Sequence, residues 1–244
     1  MPGSPVTDAS DSFCGFFGKL PSHGDFLRRN LPGDAAGRLQ AWLQEGFSRL
    51  GDLAPGEREQ RMATAPAWRF AASPGLIARE AVTGVMVASR DKVGRVYPCL
   101  ALASLGASDA ASAANCGRWS EHVEMLVRTA VAQGLNGDHL AEALLELGRP
   151  EPAGEPRPFE VATIDAGVRV DVEATPTLAG NMVEAARATA PADGAVSLWW
   201  RVVGPSPCMF WLRGLPVDEV FESLFASPAA KAARTGSSSS IPSP

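Results

Sequence analysis

Apolar positions along the chain fall into stretches of two different periods. Between residues 34 and 50, Leu39, Trp42, Leu43, Gly46, Phe47 and Leu50 recur at intervals of three and four. That spacing predicts an amphipathic helix with one buried stripe, beginning near Asp34. Trp119, Val123, Leu126, Val127 and Ala130 predict a second helix of the same kind, and Leu140, Leu144 and Leu147 a third. Residues 67–72, 81–89 and 94–105 are rich in Val, Leu, Met and aromatics and are interrupted by Gly and Pro, which predicts three strands separated by turns. Farther along, 159–164 and 168–172 predict a hairpin around Asp165-Ala166-Gly167, 178–190 a helix, 196–203 and 209–212 two core strands, and 217–225 a short closing helix. Interspersed helices and hydrophobic strands predict an α/β domain, a three-layer α/β/α sandwich with helices on both faces of a mixed central sheet. Trp199 and Trp200 strengthen this, because neighbouring strand residues point to opposite faces and two large rings there call for cover on both.

Punctuation divides the chain. Residues 1–12 and 227–244 are rich in Pro, Gly and Ser and predict disordered tails around one folded unit spanning 13–226. Within that unit, Gly148 to Pro158 holds four prolines and predicts a surface loop between a first half, 13–147, and a second, 159–226.

Composition narrows the classes of function. With 244 residues, 45% of them hydrophobic, the chain buries a sizeable core. Twenty-two basic against 27 acidic side chains give a net charge of −5, which disfavours nucleic acid and anionic membrane as partners. Cys14, Cys99, Cys116 and Cys208 are scattered without metal-ligand spacing and predict buried free thiols. The first residues lack a basic and apolar leader pattern, and no stretch approaches the ~20 apolar residues of a membrane helix, so a cytoplasmic protein without an integral membrane segment is expected.

The densest chemistry lies in Gly15-Phe16-Phe17-Gly18-Lys19-Leu20-Pro21-Ser22-His23-Gly24-Asp25-Phe26. Three glycines able to adopt positive φ and one rigid proline predict an ordered loop over the whole segment, with Lys19, His23 and Asp25 displayed on it. Gly18-Lys19 is not a phosphate loop, because Phe13 stands at the first glycine of that pattern and Leu20 at its hydroxyl. Lys19, His23 and Asp25 have the residue types of an acid/base group, but Asp and His in such turns more often bond the backbone. Ser89, Arg90, Asp91, Lys92 and Arg95 form a second polar cluster at a strand end, readable as a charged hairpin turn or as a ligand site. His122 and His139 are not spaced for joint metal ligation, and no nucleophile elbow is present. No catalytic residue, metal or cofactor is assigned. The alternative to a binding role is a small enzyme or ligand-binding protein using the Lys19/His23/Asp25 loop with the Ser89–Arg95 turn.

The glycine-rich segment matches every fixed position of G-x-x-G-K-L-P-x-x-G-D-F and resembles the opening of the TagF family, accessory proteins of bacterial type VI secretion. Leu27-Arg28-Arg29-Asn30-Leu31-Pro32, Trp42-Leu43-Gln44 and Pro66-Ala67-Trp68-Arg69-Phe70 follow in the family's order. Gly84-Val85-Met86 and Ser89 to Pro98 are similar to a further segment of the family, with Ala88, Arg90 and Cys99 departing from it. The resemblance covers about the first hundred residues, with only Ser197-Leu198-Trp199-Trp200 and Gly214-Leu215-Pro216 similar beyond. It implies an α/β/α sandwich without catalysis that represses secretion post-translationally by binding a cytoplasmic forkhead-associated scaffold protein. It also implies a regulatory link to the system's threonine kinase and phosphatase pathway. The residues expected to meet that partner are Lys19, His23, Asp25, Arg28, Arg29, Ser89, Asp91 and Arg95.

Overall fold

A computed structural model describes residues 12–49, 55–106, 110, 116–151, 162–164, 167–171, 195–201 and 208–225. Residues 1–11 of the tail expected over 1–12, the tail expected over 227–244, residues 152–158 of the loop expected over 148–158 and the helix expected over 178–190 lie outside the described residues.

The protein is a mixed α/β fold. Its strands are β1 (Cys14–Gly18), β2 (Leu27–Arg29), β3 (Trp68–Ala72), β4 (Val82–Val87), β5 (Cys99–Ser104), β6 (Ala162–Ile164), β7 (Gly167–Asp171), β8 (Val196–Arg201) and β9 (Cys208–Arg213). Its helices are α1 (Gly33–Arg49), α2 (Pro55–Ala63), α3 (Gly117–Gln133), α4 (Gly137–Leu147) and α5 (Asp218–Leu224). Among the described residues the nine strands form one sheet in the order β2-β1-β5-β4-β3-β8-β9-β7-β6.

Every described pairing in that sheet is antiparallel, which corrects the mixed sheet expected from the sequence. The reason is connection length. β3–β4, β4–β5, β6–β7 and β8–β9 are consecutive neighbours joined by connections shorter than the dozen or so residues a parallel crossover needs, and such pairs return antiparallel. The join between the chain's two halves is the pairing of β3 with β8, in which Phe70 stands opposite Trp199.

Alternation along the strands builds two cores. Phe17, Phe70, Met86, Leu100 and Leu102 pack with Leu39, Trp42 and Leu43 of α1 and Val220, Phe221 and Leu224 of α5. Their neighbours Phe16, Val85, Ala101 and Ala103 pack with Val123 and Val127 of α3 and Leu140 and Leu144 of α4. All six tryptophans are buried. Trp42 Nε1 donates to the Pro216 carbonyl at 2.7 Å and Trp68 Nε1 to the Leu224 carbonyl at 2.8 Å, which ties the C-terminal segment to the first half of the chain.

Three elements, β1, β2 and α2, were not foreseen. β1 occupies the first residues of the segment expected to be a loop, so the loop proper runs only from Lys19 to Phe26. A Cβ at Gly15 would collide with the Arg29 carbonyl of β2, so that glycine serves close strand approach. α2 carries almost no apolar stripe, and Arg61 holds it by bonding Glu57 within the helix and Glu222 of α5, each at 2.7 Å.

Candidate functional site

At the end of β1 the backbone of Gly18 takes φ +140°, and a Cβ there would clash with the Pro98 carbonyl. This glycine lets the chain pass against the segment before β5 and turns Lys19 inward. Lys19 Nζ reaches Asp91 Oδ2 at 2.9 Å, with Lys19 7% exposed and Asp91 2%.

Asp91 organises its own turn. Its Oδ1 accepts from the backbone N–H of Val93 at 3.0 Å and of Arg95 at 2.9 Å, and its Oδ2 also accepts from Arg95 Nε at 2.6 Å. A short aspartate bonding the backbone two and four residues on explains why this residue type closes the turn. Gly94 sits in the turn at φ +91°. Burial alone would raise the Asp91 carboxyl, but the hydrogen bonds from Lys19 and Arg95 and the Lys19 charge outweigh it and hold the group well below the usual carboxylate range.

Three further bonds fasten this turn to the glycine-rich loop. Ser89 Oγ donates to the Lys19 carbonyl at 2.7 Å, Lys92 N–H to the His23 carbonyl at 2.8 Å, and Arg95 Nη2 to the Gly24 carbonyl at 2.9 Å. Phe26 caps the assembly. Its ring lies over Lys19 Nζ at 4.9 Å, nearly parallel to Phe17 at 5.9 Å and edge-on to Tyr97 at 4.7 Å. The cation is thus enclosed by a carboxylate and two rings, which compensates for taking it out of water.

The eight nominated residues therefore separate. Lys19, Ser89 and Asp91 are buried and bonded, so their side chains position the surface and do not form it. His23 does not join Lys19 and Asp25 in an acid/base group: its Nδ1 lies 2.9 Å from Ser22 Oγ, whose own hydrogen goes to the Leu135 carbonyl at 2.7 Å. Arg29 bonds Asp138 at the start of α4 at 2.6 Å, and this hydrogen bond holds the Asp138 carboxyl below its ordinary value. Asp25, Arg28 and Arg95 face solvent. Gly24 has no positive φ and nothing near its Cβ position, contrary to the requirement expected there.

Sequence reasoning missed Phe26 and Val93, which are 43% and 72% exposed, and did not nominate Arg90 and Lys92. Phe26 closes the fixed motif, which was the available signal. Burial pushes the thiol of Cys14 up to about 11 and those of Cys99 and Cys116 to about 12, so all three are protonated at neutral pH. Among the described residues no group of three or more His, Cys, Asp or Glu could hold a metal ion. None of the described helices is long and apolar enough to cross a membrane. A shallow depression lined by Trp42, Glu45, Arg49, Pro216 and Asp218 among others contains no residue of the glycine-rich loop.

Comparison with known proteins places this site within a described family. Residues 15–147 match the family model of the TagF N-terminal domain, type VI secretion system-associated. The chain is also similar to the crystal structure of PA0076 from Pseudomonas aeruginosa PAO1, with 29% identity and a TM-score of 0.63 over 94% of this chain and 97% of that one. No curated protein matches the chain.

Proposed function

The chain belongs to the TagF N-terminal domain family, associated with type VI secretion, and from that premise we propose that it is a post-translational repressor of the secretion machine, acting by protein contact without catalysis. Its partner in this reading is a cytoplasmic forkhead-associated scaffold of the same system, and its link to the threonine kinase and phosphatase pathway is regulatory. The architecture we read as a three-layer α/β/α sandwich, a rigid frame for one surface.

One observation carries the reading. Lys19 of the motif and Ser89 and Asp91 of the turn are spent on internal bonds to one another and the backbone, and what they hold outward is Phe26 beside exposed cations. A catalytic site needs its ionisable groups free to meet a substrate, whereas a binding surface needs them fixed. Loops fixed on a rigid scaffold are where binding residues concentrate.

Deleting the gene in the native host should raise secretion through the system, and overproducing the protein should suppress it, as read from secreted protein in the medium. Unchanged secretion in both strains would end the proposal.

A further inference from the structure

The glycine-rich loop and the Asp91 turn form one continuous surface whose charge is opposite to that of the chain. Outside the buried Lys19–Asp91 pair, residues 19–29 and 89–97 hold five cations, Arg28, Arg29, Arg90, Lys92 and Arg95, against the one carboxylate Asp25, in a protein of net charge −5. Arg28, Arg90 and Lys92 are exposed, and their side chains form no ion pair among the described residues. Their backbones join β2 and the turn to their neighbours, while their side chains stay outside those bonds.

These cations neighbour exposed apolar side chains in register and along the turn. Phe17 pairs in register with Arg28, so both side chains leave the same face of the sheet, and Phe26 stacks on Phe17. Arg90 is bridged to Val96, which packs against the aromatic core, and Val93 projects from the turn tip between Lys92 and Arg95. An exposed ring and an exposed valine on elements that also carry exposed cations have the composition of an interface centre, where aromatic and arginine side chains supply most of the affinity.

We propose that this surface takes an acidic segment of a protein partner, one in which an aromatic or aliphatic side chain seats on Phe26 and Val93 while flanking carboxylates meet Arg28, Arg90 and Lys92. The inference rests on the protein-binding reading above and assigns it a chemistry. Nucleic acid is the weaker fit: the chain as a whole repels a polyanion, and Asp25 stands at the patch. An acidic peptide needs only the local cations and uses the apolar centre, which a phosphate backbone does not.

The test is fluorescence polarisation of the full chain with four labelled probes: an eight-residue peptide of glutamates interrupted by two phenylalanines, the same peptide with serine for every glutamate, the same with alanine for every phenylalanine, and decathymidylate. The acidic aromatic peptide should bind saturably and more tightly than the other three, with affinity falling as salt rises. The double variant R90E/K92E should weaken it by about tenfold and V93S by about threefold, while the remote exposed R118E leaves it unchanged. F26S serves as a second apolar variant only if its melting temperature matches that of V93S. Equal binding of the serine peptide, tighter binding of decathymidylate, an equal loss in R118E, or no binding at all would overturn the proposal. If it fails while the scaffold still binds and gene deletion still raises secretion, the acidic-segment chemistry is wrong and the repressor reading stands.

Discussion

Against α1 and α5 the sheet presents Phe17, Trp68, Phe70, Trp199 and Phe210, whereas against α3 and α4 it presents Phe16, Val85, Ala101 and Ala103. Small side chains let helices come close: the N-terminus of α4 packs so tightly that a Cβ at Gly137 would lie 2.9 Å from Leu27 Cδ1. Large rings hold α1 and α5 farther out and interlock with one another. Their centroids run in steps of 4.7–5.5 Å from Phe70 through Trp199, Trp42, Phe221 and Phe47 to Tyr97 and then Phe26. The aromatic face is therefore the one that reaches the surface, and Phe26 is the outer end of a packed row and not a stray exposed ring. On the small-residue side, the exposed apolar side chains Met125 of α3 and Leu145 of α4 belong to no aromatic row.

Breaking the ring row should cost most. Trp199→Ala removes a fully buried ring between Phe70 and Trp42 and should destabilise by roughly 3–5 kcal/mol, against about 2 kcal/mol for Val127→Ala on the opposite face. Denaturant unfolding of the two variants measures this directly, and equal losses would mean the two faces are packed with equal consequence.

Removing the post beneath Phe26 should come next. Lys19→Met leaves the buried Asp91 carboxylate with only Arg95 as a charged partner and should lower the melting temperature by roughly 5–10 °C. Asp91 also sets a pH dependence. Its folded value is depressed from the ordinary 3.8, so its contribution is fully present above that value and is lost as pH falls through the folded value. Asp91→Asn should accordingly be less stable at neutral pH and lose less than the parent on acidification below about pH 4. A parallel acid limb in parent and variant would contradict the assignment.

Two glycines sharpen the comparison at the small end. A Cβ at Gly46 of α1 would collide with the Phe221 ring, so Gly46→Ala should destabilise by about 1–3 kcal/mol by displacing a member of the row. Gly24→Ala meets open space at ordinary φ and should change stability by no more than about 0.5 kcal/mol.

The helices with a clean apolar stripe, α1, α3 and α4, were legible in the sequence, as were β3, β4, β8, β9 and the β6–β7 hairpin. α2 was not, because Gly-Glu-Arg-Glu-Gln-Arg has no apolar period and its helix rests on charge pairs with a distant element. β1 was masked by Gly15 and Gly18, which serve close packing but look like turn punctuation. Strand direction was misread because a hydrophobic run buried on both faces suits parallel and antiparallel sheets alike. At the site, the motif located the loop but not the roles within it. Lys19 and Asp91 meet across 72 positions, and no local pattern marks a lysine as buried. The residues that do face outward at the turn, Arg90, Lys92 and Val93, follow no period, because a turn tip has none.

The central claim is that the exposed part of the glycine-rich surface, not the ion pair beneath it, carries repression of secretion. The direct measurement is secretion from a gene-deleted native host complemented with the parent chain, with R90E/K92E or with V93S, at matched protein abundance and melting temperature. The account predicts repression by the parent and secretion restored toward the deletion level by both variants, R90E/K92E more than V93S. Full repression by both folded variants would contradict it.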